Sequence, residues 1–131
     1  MSHRSRLCTI IIDSAQPDFE RAVEFWSQAL GQKPLPDPDD PKYVSLKGRI
    51  GGDGGPTVLM QSVPGDERAI HLDIESDDVE AEVERLEGLG ASIKKRFPRW
   101  VVMTAPSGHP FCVVQRFRDD FEEHASEWRE G

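Results

Sequence analysis

The sequence predicts an α+β fold in which two tandem βαβββ modules form a curved mixed sheet with a concave cavity, followed by a C-terminal helix. Three observations carry this prediction. Apolar residues recur at helical spacing in two places: Phe19, Val23, Trp26 and Leu30, and then Val79, Val83 and Leu86. Each helical stretch follows a strand-like run and precedes three more, so the order strand, helix, three strands occurs twice, as an internal repeat. A half of this size buries its own sheet poorly, so the two sheets are expected to pair, with the helices outside and a hollow inside. The modules run from about 6 to 65 and from 68 to 116, with a helical extension over 117–131. At 131 residues the chain is one domain by size, long enough to form a core without disulfide or metal staples.

In the first module, residues 7–13 (LCTIIID) are apolar on both faces and read as a buried strand. Pro17 suits the first turn of the helix that follows, and Gly31 closes it. Residues 32–35 read as a short strand. Four prolines interleaved with Asp37, Asp39 and Asp40 then make a stiff acidic connection. Strands are expected over 43–46 and 57–63. Between them, residues 48–56 (GRIGGDGGP) lack the Lys-Ser/Thr ending and the following helix of a phosphate-cradling loop, so they read as a hairpin loop.

The second module opens with AIHLDIES, in which Ile70, Leu72 and Ile74 alternate with His71, Asp73 and Glu75. Asp77 is placed to cap the helix, with Glu80 in the capping-box position, and Gly88 or Gly90 to end it. The helix stripe is expected to lie across Ile70, Leu72 and Ile74, which turns His71 and Asp73 to the opposite face. Residues 92–97 and 99–104 form a hairpin around Pro98, 105–110 a turn, and 111–116 the last strand. Residues 119–129 read as helix, with Phe117, Phe121 and Trp128 on one stripe that must dock on this subunit or on a partner. That stripe and the fold type predict a homodimer.

Composition narrows the function. With 37% hydrophobic and 31% charged residues the chain is that of a soluble globular protein, and no apolar run approaches the roughly 20 residues of a membrane span. The first residues are basic but lack the apolar core and cleavage site of a signal peptide, so a cytoplasmic location is expected. A net charge of −8 argues against nucleic acid as a partner. The basic cluster Lys94, Lys95, Arg96, Arg99 reads as the solvated end of a hairpin. Cys8 and Cys112 suggest no disulfide framework and read first as small core residues. His3 and His124 lie in terminal regions expected to be exposed, and His109 in a turn.

His71 is the candidate catalytic residue, open to three readings: a hydrogen-bonding wall of a substrate cleft, a buried structural histidine, or a metal ligand. Asp73 is either a general base beside it or a solvated carboxylate. Tyr43, Met60, Trp100 and Phe111 are candidate lining residues of a largely apolar pocket, or equally ordinary core. Trp100, Val102 and Thr104 share one strand face and Val101 and Met103 the other, and either face could be the concave one. Two thiolates and an imidazole also make a known zinc set with an open fourth position, so Cys8, His71 and Cys112 form an alternative metal site.

The segments FERAVEFWSQALG (19–31), IHLDIESDDVEAEVERLEGLGA (70–91) and APSGHPFCVV (105–114), set in the tandem pattern, resemble the vicinal oxygen chelate superfamily. This is the fold of glyoxalases, bleomycin-resistance proteins and extradiol dioxygenases, and the likeness is to small bacterial glyoxalase-like proteins. It covers about residues 6–116. In metal-dependent relatives a divalent ion is held by His, Gln or Glu from the first and last strands of each module. Those positions here are Cys8, Gln61, His71 and Cys112, of which only His71 is a usual ligand at its place and Gln61 is able to serve as one, while Cys112 replaces the expected carboxylate. The resemblance thus implies a protein that binds a small organic molecule without the usual metal triad, with His71, Gln61 and Asp73 as polar anchors and no cofactor. The alternative is a lyase/isomerase or dioxygenase-type enzyme using a metal on His71 with Cys8 and Cys112, or with Gln61.

Overall fold

The computed structural model describes residues 1–65 and 69–129. The expected start of the second module at 68 and the last two residues of the extension lie outside the described residues. The chain divides into two compact units, one of Thr9–His71 and one of Met1–Cys8 with Leu72–Gly131.

In the unit Thr9–His71, strand β1 (Ser2–Ala15) enters a 3₁₀ turn that carries Pro17 and then helix α1 (Phe19–Leu30). The helix ends at Gly31, whose φ of 67° is left-handed and favours glycine. Strands β2 (Pro34–Pro36), β3 (Tyr43–Leu46) and β4 (Thr57–Val63) follow. The strand order is β2-β3-β4-β1, with β1 and β4 parallel and the other neighbours antiparallel. Because α1 carries the chain from β1 to the far edge strand β2, it must cross β4 and β3. Its stripe of Phe19, Ala22, Val23 and Trp26 accordingly covers Val44, Leu46, Val58 and Met60. The loop between β3 and β4 is a hairpin loop, as expected. Arg49 Nη1 donates to Gly55 O at 2.6 Å, and a side chain at Gly55 would collide with the Ile50 carbonyl.

The second unit repeats the order with β5 (Ala69–Ser76), α2 (Val79–Gly88), β6 (Ser92–Arg96), β7 (Trp100–Thr104) and β8 (Pro110–Gln115). Its β5 belongs from Leu72 onward, and the first residues of β1 join it. Here the order is β1-β5-β8-β7-β6, with β5 and β8 parallel. The α+β class, the mixed sheet and the twofold βαβββ order are therefore as expected. The place of α2 is not. Its crossover from β5 to the edge strand β6 carries it over β8 and β7, where Val83 packs with Val101, Met103 and Val113. Ile70 and Leu72 stay 58% and 43% exposed instead of lying beneath it. The cap also moves by one residue. Asp78 accepts from Ala81 N, while Asp77 accepts from Arg4 N and so continues the pairing toward β1.

The C-terminal segment departs furthest from expectation. Only Phe121–His124 (α3) is helical, and Ser126–Arg129 forms strand β9, antiparallel to the start of β1. The apolar stripe breaks up accordingly. Phe121 is fully buried under the Arg6 and Arg116 guanidiniums. Trp128 lies beneath Arg85 and donates from Nε1 to Ser5 Oγ. Phe117 remains 61% exposed. Phe121 and Trp128 are thus covered by their own chain, and Phe117 is the member of the stripe that stays open. His3, expected to be exposed, is buried and bonded to Glu82. The new β9 partner encloses the β1 terminus that the sequence reading left open to solvent.

Candidate functional site

The pleat of the first unit sorts its side chains. Ile10, Ile12, Val58, Met60, Val44 and Leu46 turn toward α1. The alternate residues turn to the opposite face, and register aligns Asp13 on β1 with Gln61 on β4 and Tyr43 on β3. Neighbouring strands lie about 5 Å apart, so these three make one polar row about 10 Å long. His71, from the end of the same unit, reaches this row: its Nδ1 lies 3.0 Å from Asp13 Oδ2. The two side chains are 19% and 13% exposed. An ionised carboxylate can only accept, so Nδ1 carries the proton and donates it to Asp13. Nε2 then presents the lone pair, the tautomer in which an imidazole accepts a hydrogen bond or a proton. Asp13 Oδ1 is buried with no hydrogen-bond partner among the described residues.

Asp13 is the residue that sequence reasoning missed. It stands 58 positions from His71 and closes an apolar run, so no local pattern joins the two. The only signal was its polarity at the end of TIIID. His71, Gln61 and Tyr43 do fall in one unit as candidate residues. Met60 does not line an open surface: it is fully buried beneath α1, because its strand phase is opposite to that of Gln61. Phe111 is likewise a core residue, packed against the cluster under α2.

The remaining candidates belong to the second unit. Val101 and Met103 face α2, which decides the question left open by the sequence: Trp100, Val102 and Thr104 share the other face. Trp100 stacks on Phe97 with ring centroids 4.4 Å apart and borders a groove of about 590 Å³. Asp73 is half-buried beside Cys112 in register, and its carbonyl accepts the Cys8 thiol at 3.4 Å. Cys8 is buried, with its sulfur against that carbonyl. Among the described residues no group of three or more His, Cys, Asp or Glu side chains is placed to hold a metal ion, neither Cys8, His71 and Cys112 nor any other set. Of the positions implied by the resemblance, Gln61 and His71 lie in the unit Thr9–His71, and Cys8 and Cys112 in the other.

Comparison with known proteins agrees with this architecture. The model of the family described as glyoxalase-like domain matches residues 9–114. Among solved structures, a hypothetical protein from Bacillus halodurans C-125 is similar at TM-score 0.60 and 14% identity, over 88% of this chain and 96% of that one. Methylmalonyl-CoA epimerase from Mycobacterium tuberculosis is similar at TM-score 0.57 and 18% identity, over 86% and 88%. A Streptomyces coelicolor methylmalonyl-CoA epimerase variant in complex with 2-nitronate-propionyl-CoA gives 0.58 and 16%, over 86% and 98%. At such identities the structures speak for the fold, and the family match covers most of the sequence: the chain belongs to the glyoxalase-like domain family of the vicinal oxygen chelate superfamily.

Proposed function

We propose that the row Tyr43, Gln61 and Asp13, with His71, binds a small organic molecule carrying a carbonyl or carboxyl oxygen. His71 Nε2 accepts a hydrogen bond from an O–H or N–H of this ligand, or a proton from the carbon next to its carbonyl. The observation that carries the reading is the 3.0 Å contact between His71 Nδ1 and Asp13 Oδ2, which sets the imidazole tautomer and steadies the imidazolium formed on proton uptake. The Gln61 amide offers both a donor and an acceptor to the polar end of a ligand, and the Tyr43 phenol a further hydroxyl. Asp13 acts here as the orienting carboxylate; the sequence offered Asp73 beside the imidazole instead, as a general base or a solvated group. The acyl-CoA compounds named with the structural neighbours supply a first carbonyl class to try.

The test is ligand-observed NMR with a panel of small acids, ketones and acyl thioesters, in the presence of EDTA. Solvent deuterium incorporation next to the carbonyl is followed in the same samples. Binding is expected for the wild type and for the exposed-site variant Lys94→Ala, and is expected to fall at least about tenfold in His71→Ala and Gln61→Ala, the loss of one charge-assisted or well-buried hydrogen bond. Asp13→Asn should retain binding better than it retains deuterium exchange, because an amide can hold the ring but stabilises an imidazolium less. Equal affinity of His71→Ala and wild type across the panel would refute the assignment.

A further inference from the structure

We propose a second ligand site in the unit that contains β5 to β9: the groove of about 590 Å³ between the β6–β7 turn, the start of α2 and the end of β8, which takes a planar aromatic acid. Two kinds of group line it. Trp100, Phe97 and Phe117 supply aromatic surface, with Trp100 38% and Phe117 61% exposed. Arg99 and Arg116 supply positive charge. Phe97 and Trp100 stack with planes 12° apart at the hairpin bend, where Phe97 N donates to Trp100 O at 2.9 Å; Lys95 Nζ lies 4.8 Å from the Phe97 ring centroid, so the Trp100 indole is the surface offered to a ligand ring. A planar ring adds to such a surface with little loss of side-chain freedom, since the stacked pair is already ordered.

The sign of the ligand's charge follows from how the groove's own charges are paired. Glu80, its one acid, is held by Arg96 at 2.7 Å. Arg99 has no carboxylate partner among the described residues. Arg116 lies over the Phe121 ring, donates from Nη2 to Arg118 O at 3.4 Å, and leaves Nε buried without a hydrogen-bond partner among those residues. In a chain of net charge −8, two arginines beside one aromatic platform and without acids of their own are complementary to an anion. A guanidinium beside an aromatic face recognises a planar carboxylate through the fork of its N–H donors while the ring stacks. A cationic aromatic would meet the same arginines with repulsion.

The probe is 2-naphthoate, with its neutral methyl ester and 2-naphthylmethylammonium as controls, measured by calorimetry on the full chain. Expected is saturable binding of 2-naphthoate at one site per chain, with the ester and the ammonium each weaker by at least about tenfold, the effect of one charge-assisted bond. Arg99→Ala, an exposed change that leaves the fold intact, is expected to weaken the acid and leave the ester unchanged. Trp100→Leu is expected to weaken both. His71→Ala is expected to leave 2-naphthoate binding unchanged, which separates this site from the one proposed above. No saturation up to about 10 mM, the limit of a merely nonspecific contact, would overturn the proposal. So would equal affinity of acid and ester, or loss of binding in His71→Ala.

Discussion

Replacement of Glu82 by alanine is the most severe single test of how the second unit is held together. The Glu82 carboxylate is fully buried and accepts four bonds: His3 Nε2 at 2.8 Å, Ser5 Oγ at 2.7 Å, Arg85 Nε at 2.8 Å and Arg85 Nη2 at 2.9 Å. These tie helix α2 to the start of β1, which in turn pairs with β9. Breaking a buried ion pair costs about 3–5 kcal/mol, because the remaining charge loses its compensation. Arg85 is a quarter exposed and can hydrate, so the lower end applies, about 3 kcal/mol. For a chain of this size that corresponds to a fall in Tm of about 10–15 °C. The pH dependence gives a second reading of the same site. Burial pushes the Glu82 carboxyl up, but the bonds from Arg85, His3 and Ser5 and the charge of Arg85 outweigh it, and its pKa lies below the ordinary 4.5. A carboxylate whose folded pKa is depressed stabilises fully above its unfolded value, and the contribution disappears as pH falls through the folded one. Urea unfolding of the wild type should therefore lose stability below about pH 4.5, and Glu82→Gln should flatten that acid limb while lowering stability at pH 7. A Glu82→Ala protein melting within about 2 °C of wild type, well inside the shift of a single surface change, would refute the reasoning.

Two further outcomes follow from burial and donor chemistry. Met60→Ala removes a fully buried side chain under α1 and should cost about 3 kcal/mol in urea unfolding, with ligand-site chemical shifts at His71 unchanged. An effect confined to ligand binding would instead return Met60 to the lining set. Equilibrium dialysis against zinc, followed by elemental analysis, should show no stoichiometric metal on Cys8, His71 and Cys112. One zinc per chain, lost in Cys8→Ser and Cys112→Ser together, would reverse the reading of the Cys8 thiol as a donor to the Asp73 carbonyl.

What the sequence made legible was whatever has a short period. Helix α1 with its Gly31 ending, strands β3 and β4 to the residue, and the second hairpin all follow from apolar spacing and turn chemistry within a dozen positions. The C-terminal segment shows where that logic stops. Phe117, Phe121 and Trp128 have helical spacing, yet the unpaired edge at Ser2–Ser5 recruits Ser126–Arg129 as a strand. Ladder bonds to a distant partner outweigh a weak local preference, and nothing within the segment announces the partner. The exposure of Ile70 and Leu72 has the same origin, since the strands that α2 covers are chosen by where β6 sits in the sheet.

The candidate site was half legible for a related reason. Alternation marks His71 as polar-facing, but it cannot say which carboxylate meets the ring. Asp73 is the nearer in sequence and Asp13 is the one bonded. The choice depends on β1 and β4 running parallel in a register that aligns Asp13 with Gln61, a pairing set by the whole unit and not by either strand. The same register puts Met60 out of phase by one residue, and in a sheet one residue is the difference between the core and the opposite face. Chemistry assigned from residue type alone therefore holds only as far as strand phase is known, and here one phase assignment moves Met60 into the core and brings Asp13 to the imidazole.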